Sequence, residues 1–187
     1  EKLKKFIREK LIGVELLEES AQHLLVQCLV KYDELPLHKV LERMSTITRF
    51  MIEEAIRALV ELDKELAEEV MKRDDEVDRF YLFAVRQLKH VIKDITVLHK
   101  IGLKTLRDCL GYRIIVRSIE RIADHATRIA LIATKLHKKI SLEMTKEINE
   151  FAKLALNTFK ESIESLLESN AEKAHNIIDV AKKVAEY

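Results

Sequence analysis

After Pro36 this chain has no further proline, and Gly102 and Gly111 are the only glycines that follow it. Sheets and turn-rich folds need breakers at short intervals, so a stretch this free of them is confined to long helices. The apolar residues agree. Leu37, Val40, Leu41, Met44, Ile47, Met51, Ala55, Ala58 and Leu62 recur at helical spacing and define one buried face. Asp63 is suited to stop that helix and cap the next. A second helix carries Leu66, Val70, Val77, Tyr81, Ala84, Leu88, Val91 and Ile95, with its end expected at Gly102. A third is expected from about Lys104 to His137, with Ile115, Ile119, Ile122, Ala126, Ile129 and Ala133 as its core stripe. Gly111 costs that helix about 1 kcal/mol against Ala. Ser141 or Thr145 would cap a fourth helix carrying Ile148, Phe151, Leu154, Ala155, Phe159, Ile163 and Leu166, and a fifth begins near Asn170.

The first segment differs in character. Residues 1–12 read as a short basic amphipathic helix that Gly13 ends. Leu24, Val26, Cys28 and Val30 then alternate with Leu25, Gln27 and Leu29, and this period of two predicts a β-hairpin turned near Ser20-Ala-Gln22. Pro36 closes the segment, which gives the divisions 1–35, 36–138 and 139–187. Net charge is +1, so the overall balance asks for neither nucleic acid nor an anionic membrane. Cys28 and Cys109 have no second Cys near either, which excludes a Cys-x-x-Cys zinc or redox motif and fits a reducing compartment. No apolar run approaches the roughly 20 residues that cross a bilayer, and no secretory signal is present. The cytoplasm is therefore the expected location. The first residue is Glu1 rather than Met, so residues upstream of it are expected.

Two acidic pairs carry the chemistry. In Arg117-Ser-Ile-Glu-Arg-Ile-Ala-Asp-His-Ala126, Glu120 and Asp124 stand one turn apart on the face opposite the expected stripe. Like charges at this spacing destabilise a solvated helix by about 0.2–0.5 kcal/mol, so Arg113, Arg117, Arg121 and Arg128, or a bound cation, should compensate. Upstream, Lys72-Arg-Asp-Asp-Glu-Val-Asp-Arg79 places Asp74 and Asp78 one turn apart with Asp75 beside them, at the margin of their own apolar stripe. Carboxylates are hard ligands suited to Mg, Mn, Ca or iron. The plainer alternative is a salt-bridge ladder around Glu120 and Asp124 and a solvated acidic face around Asp74, Asp75 and Asp78. His125 falls off the acidic face, and His90, His99, His137 and His175 show no paired ligand spacing.

Ser118-Ile-Glu-Arg-Ile-Ala-Asp-His-Ala126 resembles the Glu-Arg-Ile-x-Asp-His-Ala motif in the third helix of PhoU-type phosphate-signalling regulators. Lys72-Arg-Asp-Asp-Glu-Val-Asp-Arg79 resembles the second-helix partner of that motif, and Leu106-Arg-Asp-Cys-Leu-Gly-Tyr-Arg113 stands where the family begins its third helix. The likeness runs from Leu37 to the C-terminus. It implies a mainly all-α fold of tandem PhoU-like three-helix bundles, here preceded by the short helix and hairpin. An internal repeat agrees with this, since Leu59-Val-Glu-Leu-Asp-Lys-Glu-Leu-Ala67 slides onto Leu166-Leu-Glu-Ser-Asn-Ala-Glu-Lys-Ala174. On that alignment Asp74 and Asp78 fall opposite Ala181 and Ala185, and the sixth helix is absent. The second bundle is thus expected to be incomplete, or to be completed by residues beyond Tyr187 or by another chain.

The resemblance further implies metal ligands at Asp74, Asp78, Glu120 and Asp124, with Asp75 as a fifth, and iron or zinc as the metal. It implies a non-enzymatic, dimeric regulator of phosphate uptake and phosphate-starvation signalling that contacts a phosphate transporter and a sensor kinase. The N-terminal segment resembles archaeal proteins in which an AbrB-type DNA-binding domain precedes PhoU repeats, so DNA would be met only through such an upstream domain, in a transcriptional regulator. Two other classes compete. A di-metal carboxylate enzyme would use Glu-x-x-His, but Glu120 is followed by Ala123 at that spacing. A metal-free helical interaction scaffold needs nothing beyond the stripes themselves.

Overall fold

A computed structural model describes residues 2–20, 23–31 and 34–185. In chain order the elements are α1 (Lys2–Lys10), β1 (Val14–Glu19), β2 (Leu24–Cys28), α2 (Leu37–Glu61), α3 (Lys64–Lys93), α4 (Val97–Lys100), α5 (Leu106–Lys135), α6 (Leu142–Leu167) and α7 (Ala171–Ala185). The protein is mainly helical with one small sheet, as its composition and periodicities lead one to expect. Strands β1 and β2 pair antiparallel, with Val14 opposite Cys28 and Glu19 opposite Leu24, and the register shifts between Leu16 and Glu18. The predicted turn at Ala21 and Gln22 lies outside the described residues. Gly13 enters β1 with φ at +61°, and a Cβ there would meet the Val30 side chain at 2.2 Å, so no other residue fits.

The helix ends explain themselves locally. Asp63 accepts from the Leu66 amide at 3.0 Å and starts α3, and Ser141 accepts from the Met144 amide at 3.2 Å and starts α6. Thr105 and Asp108 form a reciprocal capping box at the start of α5. The Thr105 hydroxyl accepts from the Asp108 amide at 3.3 Å, and Asp108 accepts from the Lys104 and Thr105 amides at 3.0 and 2.8 Å. Helix α3 does not run on to Gly102. Asp94 accepts from the Thr96 amide at 3.0 Å and hydroxyl at 2.7 Å, which turns the chain before the one-turn α4 and leaves Ile95 exposed.

The internal repeat is visible in backbone geometry. Leu62 and Ser169 are the two non-glycine residues with positive φ among those described, at 64° and 53°, and they are 107 positions apart. The next residue in each case, Asp63 or Asn170, caps the following helix, Asn170 by accepting from the Lys173 amide at 2.9 Å. The same pair donates backbone amides to Ala58 and Ser165 at 3.0 and 2.9 Å. The α2–α3 turn is therefore repeated between α6 and α7 in its left-handed residue, its side-chain cap and its closing backbone bond. A left-handed L-residue costs about 1–2 kcal/mol relative to glycine's freedom. Exposed Ser169→Gly is accordingly expected to raise stability by about 1 kcal/mol in urea unfolding; a decrease would contradict the repeated turn.

Two compact units are present, one of Glu1–Met44 with Asp75–Glu120 and one of Ser45–Asp74 with Arg121–Tyr187. The first buries Leu37, Leu41, Met44, Val77, Phe83 and Ile101. Its N-terminal segment is tied in by Arg86, which donates to the Ile12 carbonyl at 2.7 Å, and by Gln87, which donates to the Leu35 carbonyl at 2.7 Å. The second buries Met51, Ala55, Ala58, Val70, Ala126 and Ala130. The α2 stripe lies inside as predicted, apart from half-buried Leu62 in the turn. The α5 stripe is buried as expected at Ile119, Ala126 and Ala133, but the rest of its face turns toward Val116, Ala123 and Ala130. Val116, Ile119, Ala123, Ala126, Ala130 and Ala133 are buried, while Ile115, Ile122 and Ile129 are half-buried at its edge. Small residues allow close backbone approach along the contact line, and the isoleucines flank it. In α6 the expected stripe is half-buried apart from exposed Phe151, and Ala152 and Ser165 are the buried residues.

Candidate functional site

Rotation of the α5 face decides where its carboxylates lie. Glu120 is 7% exposed, not on the solvent side, whereas Asp124 is half-buried. A carboxylate that deep needs a charge partner, and the Arg117 guanidinium one turn earlier forms an ion pair with it. Arg117 and Arg113 also lie over the Tyr81 ring of α3, 5.9 and 5.3 Å from its centroid. His125, off the acidic face, is exposed.

On α3, half-buried Asp78 and exposed Asp75 meet a cation that the sequence did not point to. The Lys10 ammonium, from the end of α1, donates to Asp75 at 2.5 Å and to Asp78 at 3.2 Å. The basic, amphipathic character of α1 was the one available signal for it. The lysine's pKa is raised, first by the hydrogen bond to Asp75, against the opposing effect of burial. This contact therefore stabilises fully below the ordinary lysine value of 10.5 and is lost as pH climbs through the raised one. Because both partners are partly exposed, Lys10→Met is expected to cost only about 0.2–1 kcal/mol. Hydrogen exchange should show α1 amides losing protection in that variant, and unchanged protection would contradict the anchoring role.

Asp75, Asp78 and Glu120 belong to the first unit, Asp74 and Asp124 to the second. The donor chemistry of these five would suit a hard cation. Among the described residues no group of three His, Cys, Asp or Glu side chains that could hold a metal ion is gathered. Three of the five carboxylates instead engage the chain's own cations. Of the cysteines, Cys109 has a pKa raised by burial, the condition of an unreactive thiol, and Cys28 is exposed.

A repeated helical hairpin, a long third helix carrying an acidic pair and arginines, and a preceding two-stranded sheet define a repeat-built helical protein. Residues 41–133 match the PhoU domain, and the chain belongs to the PhoU family. It is 28% identical over 142 residues to a phosphate-specific transport system accessory protein PhoU homolog of Clostridium acetobutylicum, covering 75% of this chain and 63% of that one. A homolog of the same description from Aquifex aeolicus is 28% identical over 137 residues, covering 73% and 60%. One from Borreliella burgdorferi is 27% identical over 129 residues, covering 69% and 52%. The chain thus spans less than two thirds of the length of these relatives. No solved structure gives a significant match.

Proposed function

We propose that the chain is a non-catalytic accessory regulator of phosphate transport that acts through contacts with the transporter and its signalling proteins. The match of 41–133 to the PhoU domain carries this reading, and the relatives' description as transport-system accessory proteins gives it direction. The carboxylates support it as well. Those engaged by Lys10 and Arg117 stabilise helices instead of presenting a general acid or base to a cleft. The phosphate transporter would be met as a separate protein, from the cytoplasm; no helix among the described residues is long and apolar enough to cross a membrane. The test is binding of the purified chain to a purified phosphate transporter in nanodiscs. Saturable binding is expected, and its absence at both low and high phosphate would count against the reading.

Homodimer formation is part of the proposal, and light scattering at several concentrations checks it. Cation binding by Asp74, Asp75, Asp78, Glu120 or Asp124 is a separate proposal, through which no step of the regulation is routed. Elemental analysis of the untagged chain beside Asp74→Asn/Asp124→Asn decides it: iron or zinc lost in the variant would establish ligation, and metal in neither would remove it. A role in transcription would need an upstream AbrB-type domain, which reading the gene upstream of Glu1 would show or exclude.

A further inference from the structure

Of the 33 Lys and Arg and 32 Asp and Glu in the chain, seven and two respectively fall between Lys89 and Arg117, which leaves the remainder net acidic. The overall charge of +1 conceals this basic stretch. All seven cationic side chains in it are exposed, Lys89, Lys93, Lys100 and Lys104 among them. Its two acids are taken up by local bonds, Asp94 with Thr96 and Asp108 with Thr105, and one of its cations, Arg117, is itself paired with Glu120. Among the cations stand five exposed aliphatic side chains: Ile92 at 80%, Leu110 at 70%, Ile114 at 68%, Leu106 at 54% and Ile95 at 53%. Scattered exposed leucines need no explanation, but five beside six cations not engaged by an acid of the stretch's own helices do.

The geometry places them together. Arg113 and Arg117 of α5 lie over Tyr81 of α3, so these flanks of the two helices face a common surface. Ile92 comes eleven residues after Tyr81, about 20° from it around α3 at about 100° per residue. Leu106 and Leu110 lie within about 60° of Arg113 around α5, toward that same flank. The stretch from Ile92 through α4 to Leu110 is short and belongs entirely to the first unit.

We propose that this corner, the end of α3 with α4 and the first turns of α5, docks on an anionic lipid surface. The aliphatic side chains enter the interface, and the lysines reach the phosphate headgroups by extending along their stems. Composition favours lipid over a protein partner. Protein interfaces are depleted in lysine and anchored by aromatic residues, whereas the five apolar side chains here are all Ile or Leu and four of the seven cations are lysine. Lysine is a hydrated point charge on a flexible stem, suited to diffuse headgroups more than to a fixed carboxylate. The inference goes beyond the regulatory reading and does not rest on it.

The test is cosedimentation of the chain with vesicles of phosphatidylcholine alone or mixed equally with phosphatidylglycerol. Partition onto the anionic vesicles is expected to exceed that onto neutral ones by about tenfold or more and to fall with added salt. Lys100→Gln/Lys104→Gln and Leu110→Gln/Ile114→Gln, all at exposed positions, should each reduce it by about tenfold with melting temperature preserved. Ile178→Gln, at an exposed site on α7, should leave it unchanged. No partition onto anionic vesicles, equal loss in Ile178→Gln, or binding of an acidic peptide such as polyglutamate without vesicle binding would each overturn the proposal.

Discussion

Phe83→Ala should lower the stability of the chain by about 3–5 kcal/mol. Phe83 is essentially fully buried in the first unit, and its ring carries the Arg86 guanidinium 4.9 Å from its centroid. The same arginine holds the Ile12 carbonyl, so truncation removes a large apolar side chain and the platform on which α1's exit is fastened. Domains of this kind are stable by about 5–15 kcal/mol in all, which makes the loss a large part of the total. Phe83→Leu keeps most of the volume and should cost no more than about 1.5 kcal/mol. Urea unfolding of both variants measures this. A Phe83→Ala loss below about 1 kcal/mol would mean that the ring is not in the core.

Ala130→Leu should destabilise by about 1–3 kcal/mol, because extra methylenes have no room on the contact line of α5. Ala130 is fully buried, and neighbouring Ile129 is half-buried. Ile129→Ala should therefore cost less than the roughly 2–5 kcal/mol of a fully buried isoleucine. Thermal melting of the two variants side by side separates the stripes. A neutral Ala130→Leu with a costly Ile129→Ala would return the face to the isoleucines.

That pair also shows where sequence patterning stopped. Helical spacing located α2, α3, α5, α6 and α7, and the alternation at Leu24 to Val30 located the hairpin, because burial on one face leaves those periods in the chain. Which of two adjacent stripes on α5 turns inward depends on how closely the neighbouring helix approaches, and alanines beside isoleucines leave that open. The turn of the face has a direct consequence for Glu120, which becomes buried and bound to Arg117. Phe83 escaped notice for a similar reason, since Tyr81 and Ala84 suggested a slightly different face. Lys10 could not have been paired with Asp75 and Asp78 from sequence, as no local rule connects residues so far apart. The repeated turn was legible from Leu59 and Leu166 onward, although its left-handed Leu62 and Ser169 were not, neither being a residue that favours positive φ.

As the proposed regulator of phosphate transport, the chain is expected to restrain phosphate uptake. Radiolabelled phosphate uptake should be measured under phosphate-replete conditions in cells lacking the gene, with and without the chain restored. Uptake is expected to be high without the chain and to return to the wild-type rate with it, at unchanged transporter abundance. Uptake that is indifferent to the chain at both limiting and replete phosphate would contradict it.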